Sequence, residues 1–386
     1  MIDEKISALN TPCYVYDTRI LKSRIAKVRE VFGNKYQLCY SMKANPYLLK
    51  YIFDLVDRIE VCSHGEFNLC KEYELSSDKI IYTGVNKQMR EVEEAVDYGV
   101  RLYNIESLAQ LDILMTVANK RNVSIELIIR FSSGNQFGMN IQDCKTAINT
   151  ARGCEYVEVK GFHFFSGTMI PNKKRNRQLY QFIDSISGLR EELNEDKICI
   201  EYGPGLPVRY FVDEECDVQE TAIDDLKEQL DKLSDLNSED WTVEMGRFLV
   251  ADCGSYLTKV VDLKTINNTD FAIVDGGINH LNYFGQNMAL RVPEIKYDDN
   301  GRALRKYWIC GSLCTTADVL VKDAELAELG LGDLLLFENC GAYSNTEANY
   351  LFLSRDLPYI YLIGETGEVV MIRNNKPTYT INKENK

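Results

Sequence analysis

The chain contains the stretch Tyr36-Gln37-Leu38-Cys39-Tyr40-Ser41-Met42-Lys43-Ala44-Asn45-Pro46, in which a short apolar run ends at a lysine and a turn. A run of this length bounded by a turn predicts a buried β-strand. Amphipathic stretches such as Thr18–Phe32 separate this run from similar ones downstream. The eight runs are Tyr36–Ser41, Arg58–Cys62, Lys79–Thr83, Arg101–Ile105, Ile125–Phe131, Val157–Phe165, Ile198–Tyr202 and Thr242–Glu244. Eight strand–helix repeats predict an α/β fold with a closed parallel (β/α)8 barrel, and a doubly wound sheet is the alternative.

A second pattern begins near residue 250, where strand-like runs follow one another with turn residues between them. This pattern is typical of an antiparallel β domain. The opening run Pro12–Asp17 is also strand-like and can join that sheet. We therefore expect a barrel over residues 18–249 and a β domain over residues 250–386 together with residues 1–17.

The composition favours an ordinary soluble protein and excludes some partners. The 386 residues are 45% hydrophobic and 26% charged, and no apolar run approaches the roughly 20 residues of a membrane helix. The N-terminus lacks the pattern of a signal peptide, so we expect a cytoplasmic protein. The net charge of −14 argues against binding to nucleic acid or to an anionic membrane.

The cysteines and histidines do not predict a disulfide framework or a metal site. The chain has twelve cysteines without Cys-x-x-Cys spacing and only three scattered histidines. Several cysteines lie in apolar strand-like runs, where a free thiol behaves as a small hydrophobic group. We expect reduced thiols and no bound metal.

Lys43 is the first candidate for chemistry, because it follows a predicted barrel strand. Barrel active sites assemble at the carboxyl ends of the strands, and a desolvated amine there can form a Schiff base. The plainer interpretation of a lone lysine at a strand end is a solvated surface residue.

Five motifs in order extend this interpretation over nearly the whole chain. They are Thr11–Asp17, Tyr40–Pro46, Glu244–Arg247, Cys310–Asp318 and Asn339–Tyr343. The set resembles the pyridoxal-5′-phosphate (PLP) dependent decarboxylases with the alanine-racemase fold, the family of ornithine and diaminopimelate decarboxylases. The resemblance implies α-decarboxylation through a Schiff base on Lys43 and a quinonoid intermediate. It also implies that Glu244 pairs with the pyridine nitrogen, whereas the plainer interpretation of Glu244 is a surface salt bridge.

The resemblance also assigns residues around the cofactor. It implies that Gly203 and Gly205 hold the phosphate, at a Gly-Pro-Gly turn that we expect to open a helix. Further phosphate contacts are implied for Thr168, Arg247 and Tyr343. Pro204 departs from the family's three glycines, and it has no N–H to donate.

Two more departures lie near the predicted cofactor. The family's ring-stacking histidine aligns with Phe165, which can stack on the ring as an aromatic side chain. His163 lies two residues earlier on the same strand face, and either a structural or a catalytic role is open for it. Gln136 replaces a lysine that many relatives carry.

The C-terminal motifs imply a homodimer with shared active sites. Cys314 and Asp318 match the segment that family dimers donate across the subunit interface, and a thiol there can protonate the product carbon. The alternative for Cys314 is one more buried cysteine.

The residues predicted to contact the substrate are Thr315, Asp318 and Tyr283. Thr315 is uncharged where the diamine decarboxylases carry an acidic residue, and no arginine follows Asp275-Gly276-Gly277 where diaminopimelate enzymes have one. An unpaired buried charge is costly, so the substrate tail is expected to be neutral or long enough to leave the pocket.

The leading prediction is a decarboxylase of an amino acid or amino-acid conjugate. Short motifs after Asp275 resemble the branch of the family that acts on amino acids linked to carrier proteins or to other molecules. The alternatives are diaminopimelate decarboxylase, an amino-acid racemase of the same fold, and a non-catalytic PLP-binding protein.

Overall fold

Strands and helices alternate over the first 250 residues, and strands dominate the remainder. The structure, a computed structural model, describes residues 1–193, 198–234, 239–299 and 301–384. The strands are β1 Cys13–Asp17, β2 Gln37–Ser41, β3 Arg58–Val61, β4 Ile80–Tyr82, β5 Leu102–Ile105, β6 Ile125–Arg130, β7 Val157–Phe165, β8 Ile198–Gly203, β9 Glu239–Met245, β10 Gly254–Ile266, β11 Thr269–Val274, β12 Ile295–Lys296, β13 Leu304–Cys310, β14 Val319–Ala327, β15 Leu334–Phe337, β16 Tyr359–Ile363 and β17 Val369–Arg373. The helices are α1 Glu4–Ser7, α2 Thr18–Phe32, α3 Leu49–Ile52, α4 His64–Glu72, α5 Met89–Tyr98, α6 Leu108–Arg121, α7 Ile141–Ala151, α8 Asn172–Leu193, α9 Val218–Ser234 and α10 Arg247–Val250.

Strands β2 to β9 close into a parallel barrel. Each of the eight predicted runs forms one of these strands. The barrel closes where β9 pairs with β2, with Gln37 opposite Thr242 and Tyr40 opposite Met245. This closure confirms the barrel and excludes the doubly wound sheet, whose edges would stay open.

The barrel interior is filled by side chains from alternate positions on the strands. Cys39, Ile81, Leu102 and Ile128 form a buried cluster, and Cys199 packs against it. Alternate residues of a strand point to the same face, so the next inward positions along the strands lie closer to the carboxyl ends. Several of those positions carry polar side chains, and the candidate site is built from them.

The second sheet has the strand order β14-β13-β11-β10-β1-β16-β17, and β15 pairs with β10 and β12. Most of its pairings are antiparallel, but β1 pairs with β16 and β11 pairs with β13 in parallel. The predicted fold class of barrel plus β domain is confirmed, with the refinement that the sheet is mixed. One of the two parallel pairs arises because β1, from the start of the chain, lies between β10 and β16.

The chain divides into two compact units. The barrel unit comprises Ile25–Pro207 and Gln219–Phe248, and the sheet unit comprises Met1–Arg24, Val208–Val218 and Leu249–Lys386. Residues 208–218 lie inside the expected barrel range, yet they group with the sheet unit. No helix in the described ranges combines the length and the apolar character needed to cross a membrane.

We predict that Gly161→Ala destabilises the barrel. At the irregularity in β7, a Cβ on Gly161 would lie 1.8 Å from the carbonyl oxygen of Cys199 on β8. Relief requires the two strands to separate, which costs about 2 kcal/mol or more. Urea unfolding measures this loss, and Gly188→Ala in α8, where a Cβ meets nothing within 4 Å, is the control. Equal unfolding midpoints for the two variants would contradict the prediction.

Candidate active site at the carboxyl end of the barrel

Lys43 lies in a short 3-10 turn, Met42–Ala44, immediately after β2. The hydroxyl of Tyr40 donates to the carbonyl of Asn45 at 2.9 Å, and the Asn45 side chain accepts from the N–H of Tyr47 at 3.1 Å. These bonds fix the turn after the strand. The turn therefore holds the lysine at the carboxyl end of the barrel, as the sequence predicts.

The amine of Lys43 faces two carboxylates. Its Nζ lies 2.6 Å from Oε2 of Glu60 and 3.5 Å from Oε1 of Glu244. The lysine side chain is 39% exposed, whereas the Glu60 and Glu244 side chains are 5% and 6% exposed. The lysine side chain is therefore partly exposed to solvent, while its amine lies beside two buried carboxylates.

Glu244 is held in its ionised form although it is buried. Ser41 Oγ donates to Oε1 at 2.6 Å, and Nε2 of His163 lies 3.0 Å from Oε2. Burial by itself would raise the pKa of Glu244. The charge of Lys43 and the hydrogen bonds from His163 and Ser41 outweigh burial and hold that pKa well below its usual value. The surface salt bridge considered for Glu244 is excluded by its burial.

Glu60 is a residue that the sequence interpretation missed. Its Oε1 accepts from Thr83 Oγ1 at 2.8 Å and from the Cys62 thiol at 3.1 Å, while Oε2 pairs with Lys43. The sequence did contain a signal for Glu60. It is a carboxylate at the centre of a short strand, and a barrel buries such a strand on both faces. The same signal marks Glu201 in β8.

Phe165 and the glycine turn lie together in the barrel unit. A Cβ on Gly203 would lie 2.6 Å from the ring of Phe165 and 3.4 Å from Oε2 of Glu244. The absence of a side chain at Gly203 therefore leaves room between an aromatic ring and the ionised carboxylate. Thr168 is exposed in the loop that follows β7.

The two loops predicted to hold a phosphate contact each other. Ser166 N–H donates to the carbonyl of Gly203 at 2.9 Å, and Ile170 N–H donates to that of Gly205 at 2.8 Å. Gly205 has a φ of +61°, and a Cβ there would lie 1.7 Å from the carbonyl oxygen of Gly167. Only glycine fits this approach without a backbone shift.

The expectation that Gly203-Pro204-Gly205 opens a helix is wrong. Residues 204–210 are irregular, and the next helix, α9, begins at Val218. Pro204 and Pro207 explain this, since a residue that precedes proline avoids the helical region. Arg247, half-buried at the start of α10, also belongs to the barrel unit.

Lys87 is a second lysine in the barrel unit that the sequence interpretation did not single out. Its Nζ donates to the carbonyl of Gly84 at 2.8 Å and to Oε1 of Gln110 at 3.3 Å. Burial lowers the pKa of Lys87 to about 8. These bonds hold the loop after β4 in place and connect it to the first turn of α6, so they give Lys87 a structural role.

The sheet unit contains the other predicted site residues. Cys314 is exposed, in a loop where Thr315 Oγ1 accepts from Ala317 N–H at 3.3 Å. Asp318 is buried, and its two oxygens accept from the N–H groups of Ile278 at 2.8 Å and Leu313 at 2.7 Å. Within this unit Asp318 therefore anchors the loop that carries Cys314.

Tyr283 and Tyr343 differ in how much they are buried. Tyr283 is 6% exposed, and its hydroxyl donates to the carbonyl of Glu338 at 2.5 Å and lies 2.9 Å from Cys340 Sγ. These contacts give Tyr283 a packing role within the sheet unit, and a contact with substrate stays a prediction. Tyr343 is half-buried with a φ of +63°.

Comparison with known proteins places the chain in a family. It belongs to the pyridoxal-dependent decarboxylases, because the family model for "Pyridoxal-dependent decarboxylase, C-terminal sheet domain" matches residues 13–341. The family's members are PLP-dependent amino-acid decarboxylases. This membership confirms the predicted enzyme class and cofactor.

Individual relatives differ in their substrates. Diaminopimelate decarboxylase of Pseudomonas aeruginosa is 30% identical, over 86% of this chain and 83% of the relative. The L-glutamyl-[BtrI acyl-carrier protein] decarboxylase of Niallia circulans is 28% identical, over 94% of this chain and 91% of the relative. The crystal structure of diaminopimelate decarboxylase from M. jannaschii with L-lysine shares the fold, with a TM-score of 0.86 and 24% identity over 97% of this chain and 92% of that one.

The barrel residues fit PLP. Lys43 supplies an amine beside carboxylates, and Glu244 supplies a buried anion suited to a protonated pyridine nitrogen. The gap between Phe165 and Glu244 is one that a Cβ on Gly203 would enter.

We predict that Gly203→Ala weakens PLP binding by about tenfold or more. The added methyl would displace Phe165 and approach Glu244, at a cost above about 1.4 kcal/mol. Titration of cofactor-free protein with PLP, followed by visible absorbance, measures the affinity. The control is Gly65→Ala in α4, where the nearest atom to the new Cβ is 3.8 Å away. Unchanged affinity in Gly203→Ala would show that the ring does not bind there.

Proposed function

We propose that this enzyme removes the α-carboxyl group of an amino acid whose distal end is uncharged, with a glutamyl group on a carrier protein as the leading substrate class. The observation that carries this proposal is that the two positions expected to hold charged partners for a distal group do not offer them. Thr315 is uncharged, and the first arginine after Asp275 is Arg291.

Arg291 is committed to contacts inside the sheet unit. It forms ion pairs with Asp213 at 2.8 Å and Glu214 at 3.0 Å, and its guanidinium lies 4.0 Å from the centre of the Phe211 ring. Recruiting it for a substrate carboxylate would break these contacts. A substrate with a charged distal end would therefore lack this counter-ion.

A cavity of about 520 Å³ in the sheet unit can accept a neutral tail. It is lined by side chains that include Leu281, Met288 and Trp308, together with Thr316 and Ala317 from the Cys314 loop. Of the described residues that line it, Lys322 and Glu347 carry charges, and Nζ of Lys322 lies 4.8 Å from the centre of the Trp308 ring. This lining suits an amide or thioester conjugate better than an ammonium group.

The barrel residues account for binding and orientation in the proposed reaction. When bound, PLP withdraws the electrons that remain when CO2 leaves the substrate. Lys43 would hold the cofactor covalently, and Glu60 stabilises the protonated amine before cofactor binding. Glu244 would keep a proton on the pyridine nitrogen, and Phe165 would cover the ring. Phosphate binding is assigned to the loops of Thr168, Gly203 and Gly205, with Arg247 and Tyr343.

The remaining step is delivery of one proton to the α-carbon, and we assign it to Cys314 of a partner subunit. The thiol is exposed in the single chain, as a donor to another chain must be. Large apolar side chains on the sheet unit are exposed as well, namely Phe284, Met288, Leu290, Leu351, Phe352 and Leu353. An interface between subunits would remove apolar groups of this kind from water.

Decarboxylation of free diaminopimelate is the second candidate. It is favoured by the number of relatives with that activity, among them the enzyme of Aquifex aeolicus, which is 27% identical over 97% of this chain. Family membership favours decarboxylation over the racemase and the non-catalytic binding protein.

Release of CO2 from a panel of substrates separates the two candidates. We expect glutamyl-carrier protein to exceed diaminopimelate, ornithine and lysine by about 100-fold in kcat/KM, the effect of one unpaired buried charge of roughly 3 kcal/mol. Thr315→Asp supplies a carboxylate for the distal ammonium group of the diamines. It should therefore reduce the difference in kcat/KM between glutamyl-carrier protein and these substrates. A wild-type preference for diaminopimelate would establish the second candidate.

Mixing two inactive variants tests the shared site. We expect Lys43→Ala and Cys314→Ala each to have strongly reduced activity. In an equal mixture, half of the dimers combine both chains, and each such dimer has one intact site. Activity should therefore recover to about a quarter of wild type. No recovery after subunit exchange, with dimers demonstrated by light scattering, would place Cys314 and Lys43 of one chain in the same site.

A further inference from the structure

Glu201 is a buried carboxyl group that the proposed reaction does not use. It is 3% exposed within β8, and neither of its oxygens has a hydrogen-bond partner among the described residues. Burial raises the pKa of Glu201 well above its usual value, and the nearby charges of Glu244 and Glu60 raise it further. An unpartnered carboxylate in this position would be costly, so the side chain is a neutral acid with an O–H to donate.

His163 also has a ring nitrogen without a hydrogen-bond partner in the described structure. Its Nε2 bonds to Glu244, while its buried Nδ1 has no partner among the described residues. His163 and Glu201 are register partners on the adjacent parallel strands β7 and β8. Register partners point to the same face, and their strands lie about 4.8 Å apart. An unsatisfied acceptor and an unsatisfied donor therefore lie side by side in the barrel interior.

We propose that Glu201 is a positioning residue whose protonated carboxyl group donates a hydrogen bond to Nδ1 of His163 through one bridging water. The bond keeps Nδ1 unprotonated and leaves the single imidazole proton on Nε2, directed at Glu244. Glu244 then faces a neutral donor, and its negative charge stays available to the cofactor nitrogen. A doubly protonated His163 would neutralise that charge. The inference rests on the proposed role of Glu244, but the hydrogen bond itself does not.

Glu201 also lines a cavity inside the barrel unit. The cavity has a volume of about 280 Å³, and its other walls come from the amino-terminal and middle parts of the barrel strands. The other charged side chains that line it are Arg58 of β3, Glu126 of β6, Lys160 of β7 and Asp240 of β9.

Charged groups around Glu201 set the direction of its pH response. Lys43 and Arg58 favour its ionised form, whereas Glu60 and Glu244 oppose that form. Because its pKa is raised on folding, Glu201 lowers the stability of the fold increasingly as pH rises above the usual carboxyl range. Glu201→Gln removes this dependence, so its melting temperature relative to wild type should rise between about pH 5 and pH 8.

The ring nitrogens of His163 report the hydrogen bond directly. The chain has three histidines, so a ¹⁵N-histidine-labelled holoenzyme gives three ring systems, and His64→Gln assists their assignment. As the pH is lowered from 8, we expect Nδ1 of His163 to become protonated at a higher pH in Glu201→Met than in the wild type. Glu201→Gln should behave as wild type, since its amide also donates. Gln229→Leu, which removes a buried polar group from α9, is the control and should not alter His163.

Two outcomes overturn the proposal. One is a protonated Nδ1 on wild-type His163 at pH 8, which leaves no acceptor for Glu201. The other is the same His163 titration in wild type and Glu201→Met. If the titrations differ as expected but the absorption spectrum of bound PLP is identical in both proteins over that pH range, the hydrogen bond stands and the link through Glu244 to the cofactor is overturned. Wild-type data alone decide the first outcome, even if Glu201→Met fails to fold.

Discussion

The candidate site depends on one constraint, which is that Glu244 stays ionised while it is buried in the barrel. Burial opposes the charge, and the lysine amine, the imidazole and the serine hydroxyl together overcome burial. Each of these three groups comes from a different segment, since Ser41 ends β2, Lys43 lies in the turn after it and His163 lies in β7. A buried anion of this kind is maintained only when the closed barrel brings its partners together.

The same constraint explains why the barrel interior becomes polar toward its carboxyl end. Glu60 balances Lys43, and Thr83 and Cys62 satisfy the second oxygen of Glu60. Burial and the charges of Glu244 and Glu60 raise the pKa of Glu201, which favours its neutral form. Two carboxyl groups on neighbouring strands therefore have pKa values shifted in opposite directions, because Glu244 has hydrogen-bonding partners and Glu201 has none in the described structure.

We propose that substrate specificity depends on residues of the sheet unit. The loop that carries Cys314 is anchored by Asp318, whose carboxylate is packed against Gly277 and Gly311 and holds two backbone N–H groups. Neither Thr315 nor Arg291, which is paired with Asp213 and Glu214, offers a partner for a distal charge. In the proposed function the residues expected to set the substrate preference lie in this unit, and relatives that resemble this chain act on different substrates.

The sequence by itself determined the barrel and the enzyme class and pointed to Lys43 and Glu244 as site residues, because apolar runs at regular spacing and ordered motifs are local properties of the chain. It also pointed to Phe165 and Gly203 as cofactor-binding residues. Only the tertiary structure decided that Glu60 pairs with Lys43 and that His163 bonds to Glu244, since these contacts depend on which strands become neighbours when the barrel closes. The irregular path after Gly203 was decided by its two prolines, against the helix that the glycine turn suggested.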